Sequence, residues 1–201
     1  MPNPPLRNVA ILIFDEVEVL DFAGPFEVFS VTGRTREVKP FNVYTVAEHK
    51  GEVLARNSLS VNPRCTIHDC PPADVVIIPG GWGTRSAMNN TVIVNWIRHV
   101  AAEAELVLSV CTGALLLGKA GLLNGLEATT HHMQFDMLAQ TSPTTKVVRD
   151  RRYVDAGKVV TSGGISAGID MSLHVVGRLL GPEAARETAE YMEYRWAGAV
   201  A

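Results

Sequence analysis

Cysteine is scarce in this chain, with Cys65, Cys70 and Cys111 the only three among 201 residues. So sparse and odd a set argues against a disulfide scaffold and fits a reducing compartment, so a cytoplasmic protein is expected. Aromatic residues make up only 6%, and no apolar run approaches the roughly 18 residues that a membrane helix needs. No membrane association is expected. Neither sign of charge dominates: 18 basic and 21 acidic residues leave a net charge of -3. That excludes nucleic-acid binding by bulk charge. The nearest approach to a basic cluster, KVVRDRRYV at 146–154, is interrupted by Asp150. The opening MPNPPLRNVAILIF carries only the short run VAILIF before DEVEV, which is no secretory leader. Residues 1–7 are expected to be frayed.

What is present is a chain 47% apolar, weighted towards Val, Leu, Ala and Gly, enough for one full-sized core in a single domain over 1–201. VAILIF (9–14) and the VVII of ADVVIIPGGWG (73–83) are continuous apolar runs, the pattern of strands covered on both faces, and LVLSV (106–110), with Ser109 its one polar residue, reads as another buried strand. FNVYTVAE (41–48) predicts another strand, and GEVLARNSLSV (51–61) an edge hairpin. VLDFAGPFEVFSVT (19–32) predicts a helix with Pro25 near its first turn. TVIVNWIRHVAAEAE (91–105) sets Val92, Ile93, Trp96, Ile97 and Val100 on one helical face. Further helices are expected over 111–123, 133–140, 166–181 and 182–196, and a hairpin over KVVRDRRYVDAGKVVTSGG around its DAG. Alternating strand and helix predicts a doubly wound α/β sandwich with a mostly parallel central sheet.

An open sheet of this kind binds ligands at the carboxyl ends of its strands, and three segments arrive there with distinctive chemistry: VLD (19–21), PGGWG (79–83) and SVCTG (109–113). Cys111 follows a strand and begins the next helix without a linker, the geometry of a nucleophile elbow. A thiol there is either a nucleophile, favoured as thiolate by the helix start, or a small buried core residue. Gly113 would keep the helix start open to substrate. The glycine pair is either an ordinary tight turn or a source of unshielded N–H groups, with Gly81, Cys111 and Thr112 able to hold developing negative charge. Asp21, between Leu20 and Phe22, is a proton carrier with a raised pKa or a helix cap. His131 and His132 are an orienting base or a surface pair, Trp82 would wall the pocket, and His174 reads as a core-edge residue. Cys65, His68 and Cys70 lack a fourth zinc ligand, so they read as loop residues and no metal is expected.

Four blocks together resemble the DJ-1/PfpI superfamily: LDFAGPFEVF (20–29), VVIIPGGWG (75–83), SVCTGALLLGKAGLLNGLEATTHH (109–132) and VVTSGGISAGIDMSLHVV (159–176). The likeness is to the branch that holds isocyanide (isonitrile) hydratases and the N-terminal domains of certain AraC-type regulators. It implies a flavodoxin-like sandwich, usually dimeric and without a cofactor, with the cysteine on a strained elbow. In the hydratase branch that cysteine pairs with an aspartate, here Asp21, and is followed by a threonine, here Thr112. PfpI-type peptidases have a histidine at the place of Thr112. The glyoxalases and deglycases of the superfamily use a glutamate where Asp21 stands and a histidine matching His131. The regulators continue into a helix-turn-helix domain for which the chain, ending at Ala201, leaves no room, so no nucleic-acid partner is expected. The resemblance implies a cysteine-dependent hydratase acting on a small isocyanide, most simply a homodimer. A glyoxalase-like activity on small carbonyls, or a noncatalytic sensor, chaperone or redox role, is the alternative. The apolar DFAGPFEVF, with Phe22, Phe26 and Phe29, is expected at the dimer contact.

Overall fold

A computed structural model describes residues 5–198. The strands are β1 (Arg7–Leu12), β2 (Phe41–Ala47), β3 (Val53–Ala55), β4 (Leu59–Val61), β5 (Cys65–Thr66), β6 (Val75–Ile78), β7 (Leu106–Val110), β8 (Glu127–Ala128), β9 (Lys146–Val147), β10 (Tyr153–Ala156) and β11 (Val159–Ser162). The helices are α1 (Val19–Val31), α2 (Thr84–Ala87), α3 (Thr91–Glu103), α4 (Gly113–Lys119), α5 (Phe135–Thr141), α6 (Ala167–Leu180) and α7 (Pro182–Tyr191). A seven-stranded sheet runs β10-β11-β7-β6-β1-β2-β5. Every pairing in it is parallel except β10 with β11, a hairpin at one edge. This is the flavodoxin-like α/β architecture.

The three apolar-rich runs supply the centre of the sheet. β6 and β7 are buried along their whole length, as is the second half of β1. Helices cover both faces: α1, α6 and α7 pack on one another, and α3 and α5 each pack on α4. Because β1, β6, β7 and β11 are parallel neighbours, their carboxyl ends lie side by side. The loops leaving them at 13–18, 79–83, 111–112 and 163–166 therefore crowd into one place.

Several local expectations change in the folded chain. The first strand begins at Arg7, whose side chain pairs with Glu105 at 2.8 Å, so fraying does not extend over 1–7 as expected; residues 1–4 lie outside the described residues. Pro25 lies well inside α1 rather than in its first turn. Val92 is 44% exposed, while Ile93, Trp96, Ile97 and Val100 face the core. Asn90, whose Oδ1 accepts the Val92 N–H at 2.9 Å, caps α3 and sets that rotation. KVV does not enter the predicted hairpin. Lys146–Val147 instead pairs in parallel with Glu127–Ala128, and the hairpin is confined to Tyr153–Ser162, turning at Gly157 with φ 87°. Phe22 and Phe29 are buried within the protomer against α1's own neighbours and only Phe26 is half-buried, so most of the apolar α1 surface expected at a dimer contact is already covered. Among the described residues no helix is long and apolar enough to cross a membrane.

Candidate active site

Cys111 sits between β7 and α4 with φ 57°, a left-handed conformation that costs a non-glycine residue of the order of 1 kcal/mol or more. The surroundings hold it there. Its N–H is shared between the carbonyls of Ser162 (3.2 Å) and Gly163 (3.0 Å), and its carbonyl accepts the Thr130 hydroxyl at 2.7 Å. The helix consequently starts at Gly113, two residues later than the sequence pattern suggests. Gly113 serves packing rather than substrate access: a Cβ there would lie 1.9 Å from the Ile78 carbonyl oxygen.

Asp21, in the first turn of α1, is wholly buried. Its Oδ2 accepts the Gly80 N–H at 3.0 Å, whereas Oδ1 accepts no bond of good geometry. The Cys111 thiol and the Ile165 N–H both lean towards the carboxyl. Burial lifts the Asp21 pKa to about 7, against the Gly80 N–H and the Cys111 thiol, which lower it, while the Glu18 charge adds a further rise. Burial also pushes the Cys111 thiol up to about 12, helped by the Asp21 charge and opposed by the Thr112 and Ile165 N–H groups. The expected thiolate preference from the helix start is thus reversed in the resting protein. Cys111 is only 6% exposed, and desolvation outweighs what a seven-residue helix offers.

The N–H groups of the glycine turn have owners. Gly80 N–H is held by Asp21, and Gly81 N–H donates to Thr112 Oγ1 at 2.9 Å. With Cys111 N–H also engaged, neither Gly81 nor Cys111 offers the free donor expected from sequence. The backbone donors that face the thiol are those of Thr112 and Ile165. Both glycines are required by crowding. At Gly80 a Cβ would stand 2.5 Å from Thr112 Oγ1 and 3.0 Å from Asp21 Oδ2, in the middle of the site. Gly81, at φ 129° and bridged to Val17, would collide with the Glu16 carbonyl and the Glu18 nitrogen at 2.4 Å each.

Ile165 is the residue that sequence inspection missed. It is β-branched yet has φ 54°, a genuine backbone outlier. Its N–H reaches the Cys111–Asp21 pair and its side chain is 39% exposed. The available signal was the glycine pair of TSGGIS directly after β11, which mirrors PGGWG after β6.

His131 and Trp82 stand outside the pair. The His131 ring lies on Gly164, where a Cβ would be 2.3 Å from Cδ2, and its Nδ1 accepts the Met133 N–H at 3.3 Å. Burial first, and then His132, lower its pKa; the carboxylate that acts on it is Glu18, not Asp21. Trp82 is 61% exposed beneath the Arg85 guanidinium, 4.0 Å from the ring centre, so it does not wall a closed pocket. His174 is tied to Asp155 at 2.7 Å and stacks on Tyr153. Cys65 and Cys70 are half-buried free thiols by the far edge strand β5. Among the described residues no group of His, Cys, Asp or Glu could hold a metal ion.

A buried carboxyl beside a thiol on a left-handed elbow at the carboxyl edge of a parallel sheet has counterparts among known proteins. The DJ-1/PfpI family profile matches residues 7–178. The chain is 36% identical over 188 residues to an isonitrile hydratase of Pseudomonas putida, covering 93% of this chain and 78% of that protein. It is 27% identical over 173 residues to the HTH-type transcriptional regulator CdhR of Pseudomonas aeruginosa, covering 81% of this chain and 51% of the regulator, about half its length. It superposes on a ThiJ/PfpI family protein from Pseudomonas syringae with a TM-score of 0.86 at 28% identity, over 98% of this chain and 79% of that one. Drosophila melanogaster DJ-1beta, at 20% identity, shares the fold with a TM-score of 0.81 over 94% of this chain and 99% of that one. With the match spanning nearly all its strands and helices, the chain belongs to the DJ-1/PfpI family.

Proposed function

We propose that this protein is a cofactor-independent, cysteine-dependent hydratase that converts a small isocyanide into an N-substituted formamide. The observation that carries the reading is the wholly buried Asp21, with one unpartnered oxygen and a pKa near 7, set against the Cys111 thiol. Isocyanide hydration needs a nucleophile and a proton delivered to the same carbon, and this pair holds both. Ionised Asp21 takes the thiol proton as sulfur attacks the terminal carbon of R–N≡C, then returns it to that carbon, giving R–N=CH–S–Cys111. Asp21 next takes a proton from water, whose oxygen adds to the carbon, and passes that proton to the nitrogen, which leaves the carboxyl ionised again. The C–S bond breaks, the hydroxyl proton returns to sulfur, and R–NH–CHO leaves. The net change is the addition of one water. Thr112 N–H and Ile165 N–H steady the sulfur as its charge rises and falls. The 36% identity to an isonitrile hydratase supports this substrate class over others.

The test is a parallel turnover assay with an alkyl isocyanide and with methylglyoxal. Formamide from the first alone is expected; lactate from the second alone would move the protein to the glyoxalases. The reactive pair holds one proton fewer than the fully protonated one, so the rate has a defined acid limb. Below about pH 7 Asp21 is increasingly protonated along with the thiol, and kcat/KM should fall towards tenfold per pH unit. A profile flat between pH 5 and 8 would remove Asp21 as the initial base. We also propose a two-fold homodimer. Sedimentation equilibrium at tens of micromolar should give twice the chain mass, and a monomer there would overturn it.

A further inference from the structure

We propose that Thr84 is a positioning residue that turns the Thr112 hydroxyl into a hydrogen-bond donor for the reacting groups. Thr84, the first residue of α2, is wholly buried, and its Oγ1 lies 3.0 Å from Thr112 Oγ1, its only side-chain partner among the described residues. A buried hydroxyl proton left without an acceptor costs about 1–3 kcal/mol, so the Thr84 proton goes to Thr112 Oγ1. That oxygen also accepts the Gly81 N–H at 2.9 Å. Both acceptor positions of Thr112 are then filled from the protein side, and its own proton must be donated. Within the chain the acceptor within reach is the Gly81 carbonyl at 3.2 Å, long for an O–H···O bond, whose usual length is roughly 2.7–2.8 Å. It is also the carbonyl of the residue whose N–H Thr112 already accepts. The Thr112 proton is therefore weakly held.

Thr112 Oγ1 and Asp21 Oδ2 both come within 3.0 Å of the one point above Gly80 where a Cβ would stand. The weakly held proton thus belongs to an oxygen packed against the same glycine that anchors the Asp21 carboxyl. In the hydration sequence the group that needs such a hydrogen-bond donor is the thioimidate nitrogen, on which charge builds as water adds and before Asp21 hands it the proton taken from water. Thr84 touches neither substrate nor thiol, and acts by fixing which way the Thr112 hydroxyl points.

The catalytic consequence rests on the hydratase reading; the donor order does not. Thr84→Val removes the hydroxyl at constant shape. It should lower kcat about tenfold, the scale of one hydrogen bond, with KM changed less than twofold. Thr84→Ser should restore the wild-type rate. In a Thr112→Val background, Thr84→Val should have no further effect, because the pair acts as a unit. Additive losses in that double-mutant cycle, or a Thr84→Ser enzyme as slow as Thr84→Val, would overturn the proposal. A readout without substrate separates this from a wrong reaction. In proton NMR of the resting protein, the Thr84 hydroxyl proton should be protected from exchange and show a cross-peak to the Thr112 side chain. Should the protected proton belong to Thr112 and point at Thr84, the donor order is reversed and the proposal falls, whichever substrate the enzyme uses.

Discussion

Cys111→Ser is expected to abolish isocyanide turnover, with a fall of at least roughly a thousandfold, while the protein stays folded. Removing a nucleophile outright is among the largest single losses an active site suffers. A serine hydroxyl also keeps its proton far more tightly than a thiol, beyond what a carboxylate near pKa 7 can accept. Folding should survive because the side chains are nearly isosteric, and the bonds that hold residue 111 in its left-handed conformation come from its backbone N–H and carbonyl. Replacing Cys65 or Cys70 with alanine is the control. Both sit by β5, at the far edge of the sheet, and their loss should leave kcat/KM within twofold. A Cys111→Ser protein retaining a tenth of the wild-type rate would mean that sulfur is not the attacking atom.

Asp21→Asn should move activity and stability in opposite directions. The amide keeps the shape but cannot carry a proton between thiol, carbon and water, so turnover should drop at least about 100-fold. The stability effect follows from where the carboxyl ionises. Its folded-state pKa of about 7 lies above the ordinary carboxyl value of 3.8. The folded state therefore holds the proton more tightly than the unfolded chain. The stability this confers is complete below about pH 4 and is lost as pH rises to about 7. About three pKa units set a ceiling of about 4 kcal/mol on the penalty that ionised Asp21 imposes at pH 8. Asparagine does not ionise and escapes it. Urea unfolding at pH 8 should show the variant to be the more stable protein, with the gap closing as pH falls to 4. Equal midpoint differences at pH 4 and pH 8 would show that the buried carboxyl is not the strained group described here. A site that gives up stability for a proton in the right place is the expected trade for a catalytic acid.

The scaffold and the position of the elbow in it are legible in the sequence. Apolar runs at 9–14, 75–78 and 106–110, with Ser109 their one polar residue, suit burial on both faces, so parallel central strands follow from composition and spacing alone. The abrupt change from LVLSV to CTG marks the elbow for the same reason, and a lone Asp amid VLDFAG marks a carboxyl destined for burial. Tertiary structure decided which N–H groups are free. Gly81 and Thr112 are thirty-one residues apart, and Gly80 and Asp21 fifty-nine, so no local pattern announces that these bonds consume the glycine donors. The left-handed Ile165 and the clash that makes Gly113 obligatory are likewise settled by segments far apart in the chain. The sign of the Cys111 shift belongs in the same group. A helix start pulls a thiol pKa down and burial pushes it up, and burial, which depends on every layer of the fold, is the larger effect here.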